Sequence, residues 1–490
     1  MHELIVPTEV KFSEIKANGS LSPNNYKKLT IKNTHKHTVS FYVDSNSPYV
    51  KGIEPGSSAY VPKSKQIFLR NSCINDIQFS VDKDKYLYLN PNYYSGSIAK
   101  DGDVLFCTDA NIGDCCLFIS DNENLAFSSG IIKLNFQHEK YKYYVMAFMR
   151  DDYFREQLNA KTPKGATIRH SGDLFLECEI PDCPEEWVYS LVEALIKNIA
   201  YSERFADEKL RKSEELIENE VMAQEFAYIN PSFNELFEKA RLDSGIYSNT
   251  VFQWRENVKN YKYGFSNLSE YGFELKRGPN LAKRDLGRSI QTDTYRKGYS
   301  VLIYPSDISS SGYILKVAYL GARNPIWFLS ERDILFAAEG TVGKTFAVCD
   351  ETMHFTTNFH GTIIHPKRKD IPLKKSIFLA LYLNYMRYKK VFDRMSVGAN
   401  GGSFAVGYWD NVLIPNVDDA FMETLADLYN KKAVCNPAVF NAENIKSAGI
   451  YQINTFLIKC KSLLKQLCDD IKNGSLKSED YYLHYVDYKD

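Results

Sequence analysis

The sequence has no CxxC pair, no surplus of either charge, no signal-like start and no long apolar run. Each absence excludes something. The ten cysteines, at 73, 107, 115, 116, 178, 183, 349, 435, 460 and 468, are never spaced as in a zinc ribbon or a thioredoxin-type redox pair. Several lie inside apolar runs such as Leu105-Phe106-Cys107 and Ala347-Val348-Cys349, where a reduced thiol behaves as a small hydrophobe. The 60 basic and 61 acidic side chains nearly cancel, which excludes a wholly basic nucleic-acid coat but not a local basic patch. The start, Met1-His2-Glu3-Leu4-Ile5-Val6-Pro7, lacks the charged-then-apolar order of a secretion signal. No stretch reaches the about 18 uninterrupted apolar residues of a membrane span. The expectation is a soluble cytoplasmic protein without membrane contact.

What is present is length, aromatic content and repetition. At roughly 100–200 residues per domain, 490 residues imply two to four domains. Hydrophobic residues at 44% and charged residues at 25% are ordinary for a globular chain. The 34 Tyr and 29 Phe favour strands and packed interfaces.

The chain matches itself in three places. Asp-Gly-Asp-Val-Leu-Phe-Cys-Thr-Asp-Ala-Asn-Ile-Gly at 101–113 parallels Glu-Arg-Asp-Ile-Leu-Phe-Ala-Ala-Glu-Gly-Thr-Val-Gly at 331–343, an offset of 230. Phe127-x3-Ile131-Ile132 parallels Phe359-x3-Ile363-Ile364 at offset 232, and Ile180-Pro181 parallels Ile414-Pro415 at offset 234. Three matches in order imply a duplication with small insertions. Each half reads as strands up to the matched block, then one helix (around 140–158 and 373–395). A glycine turn follows (Lys164-Gly165; Gly398 to Gly402), then a last short strand ending at the Ile-Pro pair.

After each Ile-Pro pair the sequence turns helical. Glu185-Glu186 open a stretch with apolar residues at Val188, Leu191, Leu195, Ile199, Ala206, Leu210, Leu216, Ile217 and Val221, much of it at coiled-coil spacing. The second stretch begins with Phe421, Leu425 and Leu428, breaks at Cys435-Asn436-Pro437, and resumes at Ile453, Phe456, Cys460, Leu463, Leu467 and Ile471. Asn473-Gly474 forms its C-cap. Each apolar stripe needs a partner, and the two are matched to one another; the alternative is that each helix lies on its own globular half. The expected class is α+β, with two similar α/β domains separated by two long helices that form an antiparallel coiled-coil spacer. The boundaries are 1–182, 183–225 (first helix), 226–416, 417–474 (second helix, interrupted near 435–440) and a tail at 475–490.

Charge follows this plan. Residues 360–395 hold nine basic side chains against two acidic, and 251–300 hold ten against five. Residues 185–220 hold ten acidic against five basic. Basic globules and an acidic spacer suit phosphate contact by the former and protein contact along the latter. The loop Ala338-Glu339-Gly340-Thr341-Val342-Gly343-Lys344-Thr345 is one residue from a Walker A sequence. Its sequel, Phe346-Ala347-Val348-Cys349, reads as a strand where a phosphate loop needs a helix, so a hairpin turn presenting Lys344 to DNA is expected instead. Asn90-Pro91-Asn92-Tyr93 and Asn230-Pro231-Ser232-Phe233 read as turns, and His35 with His37 as surface loop. No catalytic or metal-ligating constellation is expected.

The block at 333–344, its partner at 103–114, the glycine turn at 398–402 with Phe404 before Ile414-Pro415, and Lys164-Gly165 before Ile180-Pro181 together resemble the specificity subunits of type I restriction-modification systems. The resemblance implies two target recognition domains, each reading half of a split duplex DNA sequence through the major groove. It implies an antiparallel helical spacer docking DNA methyltransferase subunits, which carry S-adenosylmethionine and methylate adenine. A nuclease-translocase subunit joins in restricting systems. The subunit itself would hold no cofactor and catalyse nothing.

Charge and turn position nominate Lys63, Lys65, Arg70, Arg169 and His170 in the first half for DNA contact. In the second half they nominate Arg277, Lys283, Arg284, Arg288, Arg323, Lys344, Asn400 and Ser403. Arg suits guanine and Asn adenine, while Lys holds phosphates. Leu191, Leu195, Ile199, Ile453, Phe456 and Leu463 mark the partner-docking helices. Two alternatives stay open: a methylation-only defence complex, and a two-lobed protein scaffold that does not bind DNA.

Overall fold

In the computed structural model the duplicated sequence blocks become duplicated sheets. The structure describes residues 3–19, 21, 23–93, 98–120, 125–163, 169–239, 241–398 and 402–485. The chain forms two compact units. Met1–Arg204 with Asn436–Ala442 and Lys459–Asp487 make the first, and Phe205–Cys435 with Glu443–Ile458 the body of the second.

Each unit contains two four-stranded sheets of the same topology. In the first unit one sheet runs in the order Tyr49–Lys51, Ile131–Leu134, Val104–Cys107, Cys115–Leu117, all antiparallel. In the second unit the same order is Phe273–Arg277, Gly361–Pro366, Ile334–Ala337, Thr345–Ala347. The two central hairpin strands, Val104–Cys107 and Ile334–Ala337, are buried along their whole length, which explains their continuous apolar sequence.

The other sheet has one parallel pair in each unit. Leu125–Phe127 lies beside Gln66–Leu69, followed by Leu87–Leu89 and Tyr60–Val61. Phe355–Thr356 lies beside Ser300–Leu302, followed by Ala318–Ala322 and Ser289–Thr292. Each Ile-Pro pair closes its domain as a short strand: Glu179–Pro181 on Lys36–Thr38, and Ile414–Pro415 on Phe265–Ser266. Two similar sheet-containing domains thus come from one template.

Three sequence expectations need correction. The helix expected at 140–158 is two, Glu139–Met149 and Asp152–Lys161. Asp151 caps the second through Tyr153 N (2.9 Å) and also pairs with Lys472 (2.6 Å), so its side chain is fixed outside the helix. The helix expected at 373–395 likewise breaks at Lys390, whose φ of +58° is left-handed, into Leu373–Tyr388 and Val391–Met395. The match of Phe127 to Phe359 at offset 232 is not the structural one. Ile132 pairs with Phe106 and Thr362 with Phe336, so the offset here is still 230. Phe127 is buried in a strand, whereas Phe359 stands exposed on a turn. Side chains in strands alternate with period two, so a slip of two residues preserves the apolar pattern and escapes notice.

The first long helix spans Glu186–Val221. The second stretch is three helices, Asp419–Asn430, Ala442–Ser447 and Ile450–Asn473, ended by Gly474 at φ +63°. Within the first unit, the 186–204 part of the long helix runs antiparallel to the 459–473 part of the last. Glu203 pairs with Lys461 (3.1 Å). At the other end Asn33 Nδ2 donates to both Asp182 O (3.2 Å) and Ile471 O (3.0 Å). The loop at 436–439 is held by Asn198, whose Nδ2 donates to Asn436 O (3.3 Å) and Pro437 O (3.0 Å). In the second unit, Leu210, Ile217 and Val221 share one core with Ile450, Tyr451 and Ile458.

The Glu203 carboxylate is fully buried, and its Oε2 accepts from Phe79 N (2.8 Å) and Ser80 N (3.0 Å) while Oε1 faces Lys461. Lys461→Met leaves that charge without its counterion, a loss of about 3–5 kcal/mol. Urea unfolding followed by tryptophan fluorescence should show it, and Glu203→Gln in the same background should restore part of the loss.

Candidate nucleic-acid interface

At one end of the first sheet, four chain segments meet in the same way in both domains. The first is a basic-Gly pair. Lys51 lies opposite Ile132 and Arg277 opposite Thr362, equivalent places, and both side chains are exposed. Gly52 N donates to Ile131 O (3.1 Å) and Gly278 N to Gly361 O (2.9 Å). A Cβ on Gly52 would overlap the carbonyl of Ser128, and one on Gly278 that of Asn358. Only glycine admits this approach.

The second segment is the opposing turn, Ser128-Ser129-Gly130 in one domain and Asn358-Phe359-His360 in the other. It is closed by Ile131 N to Ser128 O (2.9 Å) and Gly361 N to Asn358 O (2.9 Å). The third is the hairpin tip. Cys107 N donates to Asp114 O (2.8 Å) and Gly113 N to Cys107 O (3.0 Å); Ala337 N donates to Lys344 O (2.9 Å) and Gly343 N to Ala337 O (3.0 Å). The fourth is the strand-like return after the glycine turn. Ala110 N donates to Arg169 O (3.3 Å) and Gly340 N to Gly402 O (3.2 Å), which makes His170 and Ser403 equivalent.

The side chains on this common frame differ. In the first domain Asn71 fills the space beneath the tip: its Nδ2 donates to Asp109 O (2.6 Å) and Gly130 O (3.1 Å), and its Oδ1 accepts from Ser128 (2.8 Å). Asp109 pairs with His170 (2.9 Å). In the second domain the short turn of helix starts with Pro305 where the first has Asn71, and Glu339 pairs with His360 (3.2 Å).

Of the nominated residues, Arg70, Arg169 and His170 gather at this end of the first domain, and Arg277 and Ser403 at the same end of the second. Arg169 turns its guanidinium toward Asn159 O (3.4 Å). Lys63 and Lys65 are exposed but precede Gln66–Leu69, while Arg70 follows it, so they lie at the far end of the second sheet. Arg288 and Arg323 are joined by backbone (Arg323 N to Arg288 O, 2.9 Å) at the corresponding far end, beside the short helix Lys283–Leu286 that carries Lys283 and Arg284. Asn400 lies outside the described residues, as do Lys164 and Gly165.

Two expectations are overturned here. Lys344 is not presented: it is 7% exposed, and Thr345 beside it donates to Ala380 O (2.8 Å), binding the strand to the helix Leu373–Tyr388. Burial, then the nearby Arg387, push the Lys344 amine down to about 8. The equivalent Asp114 is pushed up by burial to about 6, against the pull of Arg155. Whatever charge the position carries, it faces the domain interior. A strand, Thr345–Ala347, follows the loop, so it lacks the helix a phosphate cradle needs. The seam residues Leu191, Leu195, Ile199, Ile453, Phe456 and Leu463 are all buried in the chain, which leaves them no surface for a separate partner.

Sequence reading missed Lys51, Asn71, Phe359 and His360. A signal existed for the first: Lys51-Gly52 and Arg277-Gly278 are basic-Gly pairs that precede the matched blocks by similar distances. The others are set by tertiary proximity. Among the described residues no cluster of three or more His, Cys, Asp or Glu could hold a metal, and no helix is long and apolar enough to cross a membrane.

No family model and no curated protein matches the sequence. Solved structures do. The chain is similar to the crystal structure of a type I restriction-modification system S subunit from M. genitalium, at 12% identity over 92% of this chain and 99% of that one, with TM-score 0.42. It is similar to the HsdS subunit from Thermoanaerobacter tengcongensis, at 15% identity over 90% and 97%, with TM-score 0.28. A structure describing complex assembly and conformational transition of the type I R-M system matches at 13% identity over 92% and 97%, with TM-score 0.27. Two of these three structures are of type I S subunits.

Gly278→Ala should cost about 1–3 kcal/mol through overpacking against the turn, read as a lower thermal midpoint. Lys344→Met tests the buried amine. The folded chain binds that proton less tightly than the ordinary value of 10.5. The unfolded state therefore holds more protons between about pH 8 and 10.5, and wild-type stability gains with rising pH across that window. The variant should be more stable at pH 7 by about 1–3 kcal/mol, and the difference should shrink above pH 8.

Proposed function

We propose that this protein is the DNA-recognition subunit of a methylating complex of the type I restriction-modification class. One observation carries the reading. The same four-part end, rimmed by a basic residue at Lys51 or Arg277, is built twice on the same sheet and furnished with different side chains. A repeated frame with divergent side chains suits two readers of two different short sequences, hence a bipartite target.

In this reading 1–182 and 226–416 are the target recognition domains, with 183–225 and 417–474 as spacer helices paired in an antiparallel coiled coil. Arg70, Arg169, His170, Arg277 and Ser403 address base edges or the phosphates flanking them. The more distant Lys63, Lys65, Lys283, Arg284, Arg288 and Arg323 hold backbone phosphates, which position the duplex without reading it. Methyltransferase subunits dock on the outward face of the acidic first helix, not on its apolar seam. They supply S-adenosylmethionine and methylate adenine in the cytoplasm, and a nuclease-translocase subunit joins where the system restricts. This chain contributes no catalytic group.

The test is co-expression with the adjacent methyltransferase gene, followed by long-read mapping of methylated bases. A split motif with a fixed gap is expected; methylation without sequence preference would sink the reading. In duplex binding by the same complex, Arg277→Ala should weaken affinity and flatten the log-log salt dependence by about one phosphate contact, a slope change near 0.9. An unchanged slope would remove Arg277 from the interface.

A further inference from the structure

The turn Asn358-Phe359-His360 is the place where the two reading ends differ most. In the first domain it carries Ser129 and Gly130. Ser129 donates to Glu54 (3.2 Å), and a Cβ on Gly130 would lie 2.8 Å from the Asn71 side chain and 3.1 Å from Asp109 Cβ. Asn71 thus occupies the space that a side chain at 130 would need. In the second domain Pro305 stands in the place of Asn71 and makes no such hydrogen bonds, and an imidazole occupies the turn. His360 Nδ1 faces Glu339 Oε2 (3.2 Å) on the hairpin tip, and the Phe359 ring lies against His360, with centroids 3.9 Å apart and the planes tilted by 37°.

The result is a phenyl ring that lies against His360 and is otherwise open to solvent. Phe359 is 49% exposed; the exposed Arg277 precedes the glycine that meets this turn, and the exposed Ser403 bridges Glu339, the residue that His360 faces. An apolar ring among polar groups has nothing to gain from water. Among the features of a base pair's major-groove edge, the thymine 5-methyl group is the one that rewards apolar contact.

We propose that Phe359 is a specificity-determining residue of the second domain, contacting a thymine methyl group in the second half-site, and that His360 is its positioning residue, clamped by Glu339. This rests on the DNA-recognition reading above and adds to it a chemical identity for one base. The first domain, with Ser129 and Gly130 in these places, has no such contact.

The test uses the complete chain with its methyltransferase. Once the wild-type motif is mapped, each thymine of the second half-site is replaced in turn by uracil, which removes the methyl group and nothing else. One replacement should weaken binding about fourfold, the worth of a single buried methyl, while replacements in the first half-site do not act through this residue. Phe359→Ser, which installs the first domain's residue, should bind the uracil and thymine duplexes equally. It should also make that position degenerate in the methylation map while leaving the first half-site intact. His360→Ala should give a smaller relaxation at the same position and at no other. The proposal is overturned if no uracil replacement in the second half-site weakens wild-type binding, or if Phe359→Ser keeps the wild-type motif and its thymine preference. A wild-type complex with no split motif overturns instead the reading on which it stands.

Discussion

The close approach of two backbones, Gly52 to Ser128 and Gly278 to Asn358, is the constraint on which both candidate reading ends depend. With any side chain at 52 or 278 the opposing turn must move away. The turn's next residue is bound to the edge of the hairpin tip, so the tip would lose its support as well. The approach leaves the preceding residue, Lys51 or Arg277, beside the turn, with its side chain exposed. Backbone geometry therefore places the positive charge, and the side chain on it is free to differ between domains. A frame of this kind can be kept while its side chains are exchanged, because the hydrogen bonds that close it run between backbone groups.

The interior of the frame shows how such exchanges are tolerated. Asp114 in the first domain becomes Lys344 in the second, an inversion of charge at one buried position. Each is pushed by burial toward its neutral form, upward for the acid and downward for the amine. The backbone hydrogen bonds on either side are the same to within a few tenths of an ångström, so the hairpin does not depend on which charge lies beneath it. Similarly, Asn71 with Gly130 and Pro305 with His360 are two solutions to one filling problem. In the first case Asn71 Nδ2 donates to the tip carbonyl of Asp109; in the second the His360 imidazole faces the Glu339 side chain on the tip.

Much of this was legible before any coordinates. The offset of 230 between Asp103 and Asp333 locates both central hairpins, and the Ile-Pro pairs locate both closing strands, because buried strands and proline leave strong local signatures. What sequence could not supply was register and orientation. The period-two alternation hides a slip of two residues, so the sequence match sets a buried Phe127 against an exposed Phe359. Lys344 follows a turn and so reads as exposed, yet the strand after it packs on the helix Leu373–Tyr388 and takes the lysine with it. Charge density along the chain also merged residues that the sheet separates: Arg70 and Lys65 are five positions apart but lie at opposite ends of one strand.

The helices pose a different question, since an apolar seam alone does not set register. Leucine and isoleucine rows can slide by a turn at small cost, whereas a buried polar group has few places where it is satisfied. The first unit has such groups at Glu203 with Lys461 and at Asn198 with the 436–439 loop. The second has Asn454, fully buried, accepting from Ile314 N (2.6 Å) and donating to Gly312 O (3.0 Å). Glu203, through Phe79 N and Ser80 N, and likewise Asn198 and Asn454, each tie a helix to one particular backbone segment of its own unit. A one-turn slip would break all of them, and the break would cost far more than the seam could recover. The polar residues therefore fix where each helix begins relative to the domain it serves. The apolar seam, being buried within the chain, supplies adhesion without register.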